Sequence, residues 1–341
     1  ECHFSYKGFQ FIRITADEGV SVDKVEAIPV HTDVEIAGNF TCSNSLVNQI
    51  QHNSVNSLLN NYHSIATDCP HREKQGWTAD NYMSAQAAMY NFNMAAFYSK
   101  WLIDLAGTQS EEGGLCTVAP STNYSKNAST VWPAAIVYIP LNIWDFYADA
   151  APMAKNLEVM RQFVLSSKLR QVDGKPDIIN DVLGDWVAPI MVLNDSIRNN
   201  TMAPPEGMNL YGTASHFLVV KQLSEIYKIL GKEKESLEMI EWSKQISERF
   251  NQEFYDGITN TYHGDKPTEY RQSANVVPLE YGLVPREKQE AVSRELMKDI
   301  HEKNDRLSTG FLGTASLMDC LPEVNPELAY ILATQRNYPG W

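Results

Sequence analysis

Long apolar runs are missing from this chain of 341 residues. The longest are interrupted well before the roughly 18 residues that a membrane-crossing helix needs, so no membrane span is expected. Basic charge is also scarce: 28 Lys and Arg against 42 Asp and Glu leave a formal net charge of −14. That excess argues against nucleic acid as a partner, because phosphate binding wants basic patches, and it fits a neutral substrate. Cys2, Cys42, Cys69, Cys116 and Cys320 are odd in number and contain no CxxC pair, so neither a disulfide framework nor a cysteine metal site is expected. The eight His residues lack HxxxH and HxH spacing, and no metal or cofactor is expected. No signal peptide is visible at Glu1, where the chain starts in mid-pattern like an excised fragment. Sequons begin at Asn39, Asn123, Asn127, Asn194 and Asn199; in a chain rich in Asn and Ser, chance accounts for most of them.

What is present is ample core material. Apolar residues make up 43% of the sequence, and the length allows one large domain or two of ordinary size. Residues 1–40 read as β-structure, with loose alternation in FQFIRI and a second run, VEAIPVHTDVEIAG, after a polar turn. Two or three strands cannot bury a face alone, so this segment is expected to be the tail of a β-sandwich domain. From Ser43, a plausible N-cap, helical patterns follow one another. They cover a first helix to Leu59 and a long one over 80–106. A third starts at Pro133 and ends near Asp149. Others span roughly 152–169, 209–231, 233–255, 269–283, 286–301, 310–321 and 325–336. The connections alternate between short turns and long polar loops, and long loops in compact domains are usually functional. Paired helices with this alternation predict a mainly α fold over 41–341, a toroid of helical hairpins. About ten of the twelve helices of a six-hairpin (α/α)6 barrel are counted, and the last hairpin is lacking.

The densest chemistry lies in DCPHREKQGWTAD, residues 68–80. Asp68, Arg72, Glu73, Trp77 and Asp80 crowd one Pro- and Gly-containing loop. Carboxylates can protonate a leaving oxygen or hold hydroxyl pairs, and an indole can cover the apolar face of a pyranose. Glycoside hydrolysis needs a carboxylic acid whose pKa is raised, for instance by neighbouring carboxylates. An inverting reaction also needs a carboxylate base about 6.5–9.5 Å away. A solvated acidic loop with an Arg72–Glu73 ion pair is the plainer reading of the same residues.

The loop resembles the signature of the bacterial α-L-rhamnosidases, glycoside hydrolase family 78. The resemblance continues through YKGFQFIRI at Tyr6–Ile14, GDW at Gly184–Trp186, LSTGFLGT at Leu307–Thr314 and ATQRNYPGW at Ala333–Trp341. It implies Glu73 as general acid, with Asp68, Arg72 and Asp80 gripping rhamnose hydroxyls and Trp77 in the pocket wall. Many members carry one more residue between the Arg and the Trp; this chain has the shorter form, with Glu73 directly after Arg72. Trp132 and Trp186 match positions where aromatics line the sugar pocket. Asp185 either binds a hydroxyl or caps a helix, and Asp181 is a weaker candidate. Trp101, Trp144, Tyr138, Tyr211 and His216 are expected to pack in the core, and Cys69 to pack within the loop.

The resemblance further implies a rhamnose-containing oligosaccharide, polysaccharide or glycoside as substrate, an inverting mechanism, and a periplasmic or secreted location. It places the general base in a Gly-Ala-Thr-Thr-x-Trp-Glu stretch expected beyond Trp341, so residues 1–341 alone are expected to be inactive. Another (α/α) barrel glycosidase, a non-catalytic carbohydrate-binding protein and a helical interaction scaffold are the competing readings. The scaffold leaves the clustered Trp and acidic loops unexplained.

Overall fold

The computed structural model describes residues 5–121, 125–189 and 203–340. Cys2, Asn123, Asn194, Asn199 and Trp341 lie outside the described residues. Eleven α-helices run in chain order: α1 Ser45–Asn61, α2 Thr78–Asn91, α3 Ala95–Ala106, α4 Ala135–Tyr147, α5 Ala151–Ser166, α6 Asn209–Ile229, α7 Glu233–Phe254, α8 Gln272–Tyr281, α9 Arg286–Glu302, α10 Phe311–Val324 and α11 Pro326–Ala333. Two short antiparallel hairpins sit in loops: β1 Gln171–Val172 with β2 Lys175–Ile179, and β3 Tyr255–Asp256 with β4 Thr261–Tyr262.

The expected single helix over 80–106 is two helices. Phe92 is extended, at φ −137° and ψ 155°, and it bridges Ile36. The Asn93 N–H donates to the Glu35 carbonyl at 2.8 Å, and the Ala37 N–H to Asn91 at 2.9 Å. Pairing with the incoming chain thus takes the backbone groups that a continuous helix would use. The expected cap also moves by one residue: Asn44, not Ser43, accepts the Leu46 N–H at 2.9 Å.

The helices divide by burial. α4, α6 and α8 are buried around most of their circumference, whereas α1 buries no residue fully. A helix apolar on all sides belongs inside, and an amphipathic one outside. α2, α4, α6, α8 and α10 pack side by side in that order as the inner ring, each backed by an outer helix. The outer ring closes where Asn44 Nδ2 donates to Tyr330 Oη at 2.6 Å, joining the start of α1 to α11. Among the described residues, five inner and six outer helices form the toroid of hairpins, one helix short of twelve, where the sequence indicates ten.

Each inner helix follows an antiparallel outer one, so all inner N-termini share one end of the toroid. The loops entering that end are long, and those leaving the opposite end are short, such as the single Asn325 between α10 and α11. A cavity of about 1340 Å³ occupies the ring interior, with Tyr82, Tyr138, Trp144 and Tyr281 in its wall. Trp101 is fully buried, as are Tyr211 and His216. Trp144 and Tyr138 pack against the core as half-buried side chains and also line the cavity.

The β-strands expected in residues 1–40 do not form among the described residues. Residues 5–40 are extended chain with one isolated bridge, at Ile36. Phe11 is 88% exposed, and Ile12 and Ile14 are about half exposed. The alternating side chains therefore find no opposite face, and an extended segment without a partner strand makes no ladder.

Candidate active site

The loop into α2 is built as a tight bracket. The Asp68 N–H donates to the Gln75 carbonyl at 3.0 Å, and Asp68 Oδ1 accepts the Gln75 N–H at 2.9 Å. Cys69 Sγ accepts the Glu73 N–H at 3.2 Å, which is the packing role expected of it. Lys74 is held in the left-handed region at φ 54°. Its ammonium donates to the Tyr6 carbonyl at 2.7 Å and lies 4.3 Å from the centroid of the Tyr6 ring. The YKGF segment thus braces the loop from outside, and Tyr6 in turn stacks on His63 at 3.6 Å.

Within the bracket, Trp77 Nε1 donates to Glu73 Oε2 at 3.0 Å. Glu73 and Arg72 are exposed, and Asp68, Trp77 and Asp80 are half-buried. Arg72 and Glu73 do not pair with each other. Asp80 stands in the first turn of α2, where the helix dipole favours an acid. Burial pushes its carboxyl up to about 7, aided by the negative charges of Asp68 and Glu73. The three carboxyl groups therefore share one electrostatic neighbourhood. In it, Asp80 is the group whose proton affinity is raised.

A second group is aromatic. Trp132 opens a 3₁₀ turn, Trp132–Ala134, that packs against α2. Its ring meets Trp186 edge-on at 6.3 Å and Phe311 at 6.0 Å. Trp132 is buried, and Trp186 is half-buried. Of the predicted site residues, Trp186 lines the ring cavity; the carboxylate group lies around the N-terminus of α2.

Asp181 and Asp185 are buried and committed to the protein. Asp181 Oδ2 accepts the Thr130 N–H at 2.6 Å, fixing the chain just before Trp132. Asp185 accepts the Ser273 hydroxyl, the Gly310 N–H at 2.7 Å and the Gly313 N–H at 2.9 Å. Of the two roles open to Asp185 in the sequence, helix capping is the one its contacts fill.

Sequence reading missed Glu206 and Arg271. Glu206 is fully buried and accepts from the Tyr211 hydroxyl and from Arg271 Nε at 3.0 Å. Burial raises the carboxyl pKa of Glu206, with the Arg271 charge opposing. The available signal was a lone charge set just before an apolar helix, Glu206 before α6 and Arg271 before α8. No group of His, Cys, Asp and Glu suited to a metal occurs among the described residues.

Clustered carboxyl groups at the N-terminus of α2 and edge-packed indoles in the loops of a helical toroid are suited to a polyhydroxylated ring with one apolar face. The chain belongs to the bacterial alpha-L-rhamnosidase 6 hairpin glycosidase domain family, whose description matches residues 35–341. An alpha-L-rhamnosidase of Formosa agariphila is 29% identical over all of this chain and 36% of its own length. One from Streptomyces avermitilis is 28% identical over all of this chain and 31% of its own length. The solved alpha-L-rhamnosidase of Dictyoglumus thermophilum superposes with a TM-score of 0.82 at 31% identity, over 91% of this chain and 34% of that one. The Streptomyces avermitilis enzyme, solved in complex with L-rhamnose, gives 0.78 at 26% identity, over 91% and 28% of the two chains. This chain thus spans about a third of the length of the relatives it matches.

Proposed function

We propose that the complete polypeptide carrying this chain is a glycoside hydrolase. It removes terminal non-reducing α-L-rhamnosyl residues from glycosides or polysaccharides with inversion at the anomeric carbon. The observation that carries this reading is the carboxyl cluster at the α2 N-terminus, in a chain of this family. There Glu73 is exposed toward solvent with its carboxylate oriented by Trp77, beside an Asp80 that keeps a proton up to about pH 7.

Glu73 is the general acid in this reading. It protonates the glycosidic oxygen as the bond to the anomeric carbon breaks. Asp68, Arg72 and Asp80 hold ring hydroxyls, the protonated Asp80 as a donor and Asp68 as an acceptor. Trp77, Trp132 and Trp186 wall the ring. Asp68 and Asp80 share the electrostatic neighbourhood of Glu73, so on this reading neither takes the place of a base on the opposite face of the sugar. That base is proposed to come from the part of the polypeptide outside residues 1–341, which on this reading are inactive alone.

Rates on a panel of aryl glycosides test the assignment. The complete polypeptide should hydrolyse the aryl α-L-rhamnoside and leave aryl α-D-glucoside, β-D-glucoside and α-L-arabinofuranoside essentially intact. A preference for another sugar would retain the barrel and reject the substrate.

A further inference from the structure

GDW and LSTGFLGT stand about 125 residues apart in the sequence, yet they form one joint. Gly310, the residue before α10, has no side chain to cap the helix. The cap comes instead from Asp185, whose two oxygens take the N–H groups of Gly310 and Gly313. Ser273, in the first turn of α8, donates its hydroxyl to the same carboxylate. The next residue completes the seam: the Trp186 carbonyl accepts the Phe311 N–H at 2.7 Å. The glycines allow this approach. A Cβ on Gly310 would overlap the Trp186 carbonyl oxygen and come within 2.9 Å of Asp185 Oδ1. One on Gly313 would overlap the Ser273 hydroxyl.

The joint acts on the shape of the pocket. Val187, immediately after Trp186, sits at φ 56°, a region that β-branched residues avoid and occupy only where the surroundings force them. The contacts at Asp185 and at the Trp186 carbonyl supply that force. The left-handed turn that follows sets the course of the chain as it leaves the Trp186 indole, which meets Trp132.

We infer that Asp185 is a positioning residue for Trp186: it welds the GDW loop to the N-termini of α8 and α10 and so fixes the aromatic wall of the sugar pocket, without touching the sugar. The inference rests on the proposed rhamnosidase reading for its kinetic consequence. Of the two roles the sequence leaves open for Asp185, it takes the cap, since three protein donors already occupy its carboxylate.

A double-mutant cycle in the complete polypeptide tests it, with Asp185→Asn, Trp186→Ala and the double variant. Asn keeps the shape but faces at least one backbone N–H with its own NH₂. If Asp185 acts through Trp186, Asp185→Asn lowers kcat/KM by on the order of 10²-fold, the scale for a displacement of about 1 Å. The same change then adds little in the Trp186→Ala background. Near-UV circular dichroism, read without substrate, should lose the same Trp132–Trp186 band in both single variants. Asp185→Glu, which restores the charge, should recover part of that band. Additive kinetic losses would overturn the inference in favour of a direct hydroxyl contact. So would an unchanged dichroism band in a folded Asp185→Asn protein. A wild type without rhamnosidase activity would instead reject the parent reading, and the dichroism result would still decide the joint.

Discussion

The Trp77 indole N–H donates to Glu73 Oε2 at 3.0 Å. One oxygen of the carboxylate is thereby fixed, and the other makes no hydrogen bond among the described residues. Indole and carboxyl belong to the same bracket of loop, so a change to either is felt by the other.

Replacing Glu73 by Gln should keep the fold and sugar binding and remove most turnover. The amide accepts the indole hydrogen bond but cannot deliver a proton. For substrates with poor leaving groups the loss should fall at about 10²–10⁴-fold, and for an activated aryl leaving group it should be smaller. Parallel rate measurements on both substrate types check this; equal losses would remove Glu73 from the acid role.

Trp77→Phe keeps an aromatic wall and deletes the donor. The Glu73 carboxylate then loses the contact that orients it, so kcat/KM should fall by up to about 10²-fold, the scale for a displacement of about 1 Å. An unchanged kcat/KM would contradict the role of the indole.

Asp80 links stability to pH. Its carboxyl rises from an ordinary 3.8 to about 7 on folding, chiefly through burial. Between those values the unfolded chain releases the proton and the folded chain keeps it, so this group's contribution is full below about pH 4 and is lost as pH rises through 7. Asp80→Asn should flatten that part of the pH–stability curve. Urea unfolding at several pH values between 4 and 8 measures it, and an unchanged slope would show that Asp80 is not the group responsible.

Gly313→Ala should destabilise by about 1–3 kcal/mol, the range for forcing an extra carbon into a packed site, because the added Cβ meets the Ser273 side chain. Pairing it with Ser273→Gly should recover part of the loss. Denaturant titration of the single and double variants reads both effects.

The toroid was legible because its signals are periodic and local: helical patterns follow one another, and the loops between them alternate between short and long. The break at Phe92 was hidden, since it depends on Glu35 and Ile36, more than fifty residues earlier in the chain. The loop at 68–80 was legible because three carboxyl groups, an Arg and a Trp stand together in one short stretch. The role of Asp185 was not, because its partners Ser273, Gly310 and Gly313 lie about 90 to 130 residues away. Glu206 and Arg271 went unseen for the same reason: a buried ion pair looks like two ordinary surface charges until the helices that carry it are side by side.

The central claim is inverting hydrolysis of an α-L-rhamnoside with Glu73 as acid. It is tested most directly by proton NMR of the first sugar released by the complete polypeptide, followed before mutarotation sets in. The account predicts that β-L-rhamnose appears first and the α-anomer follows by mutarotation. Initial release of α-L-rhamnose would contradict it.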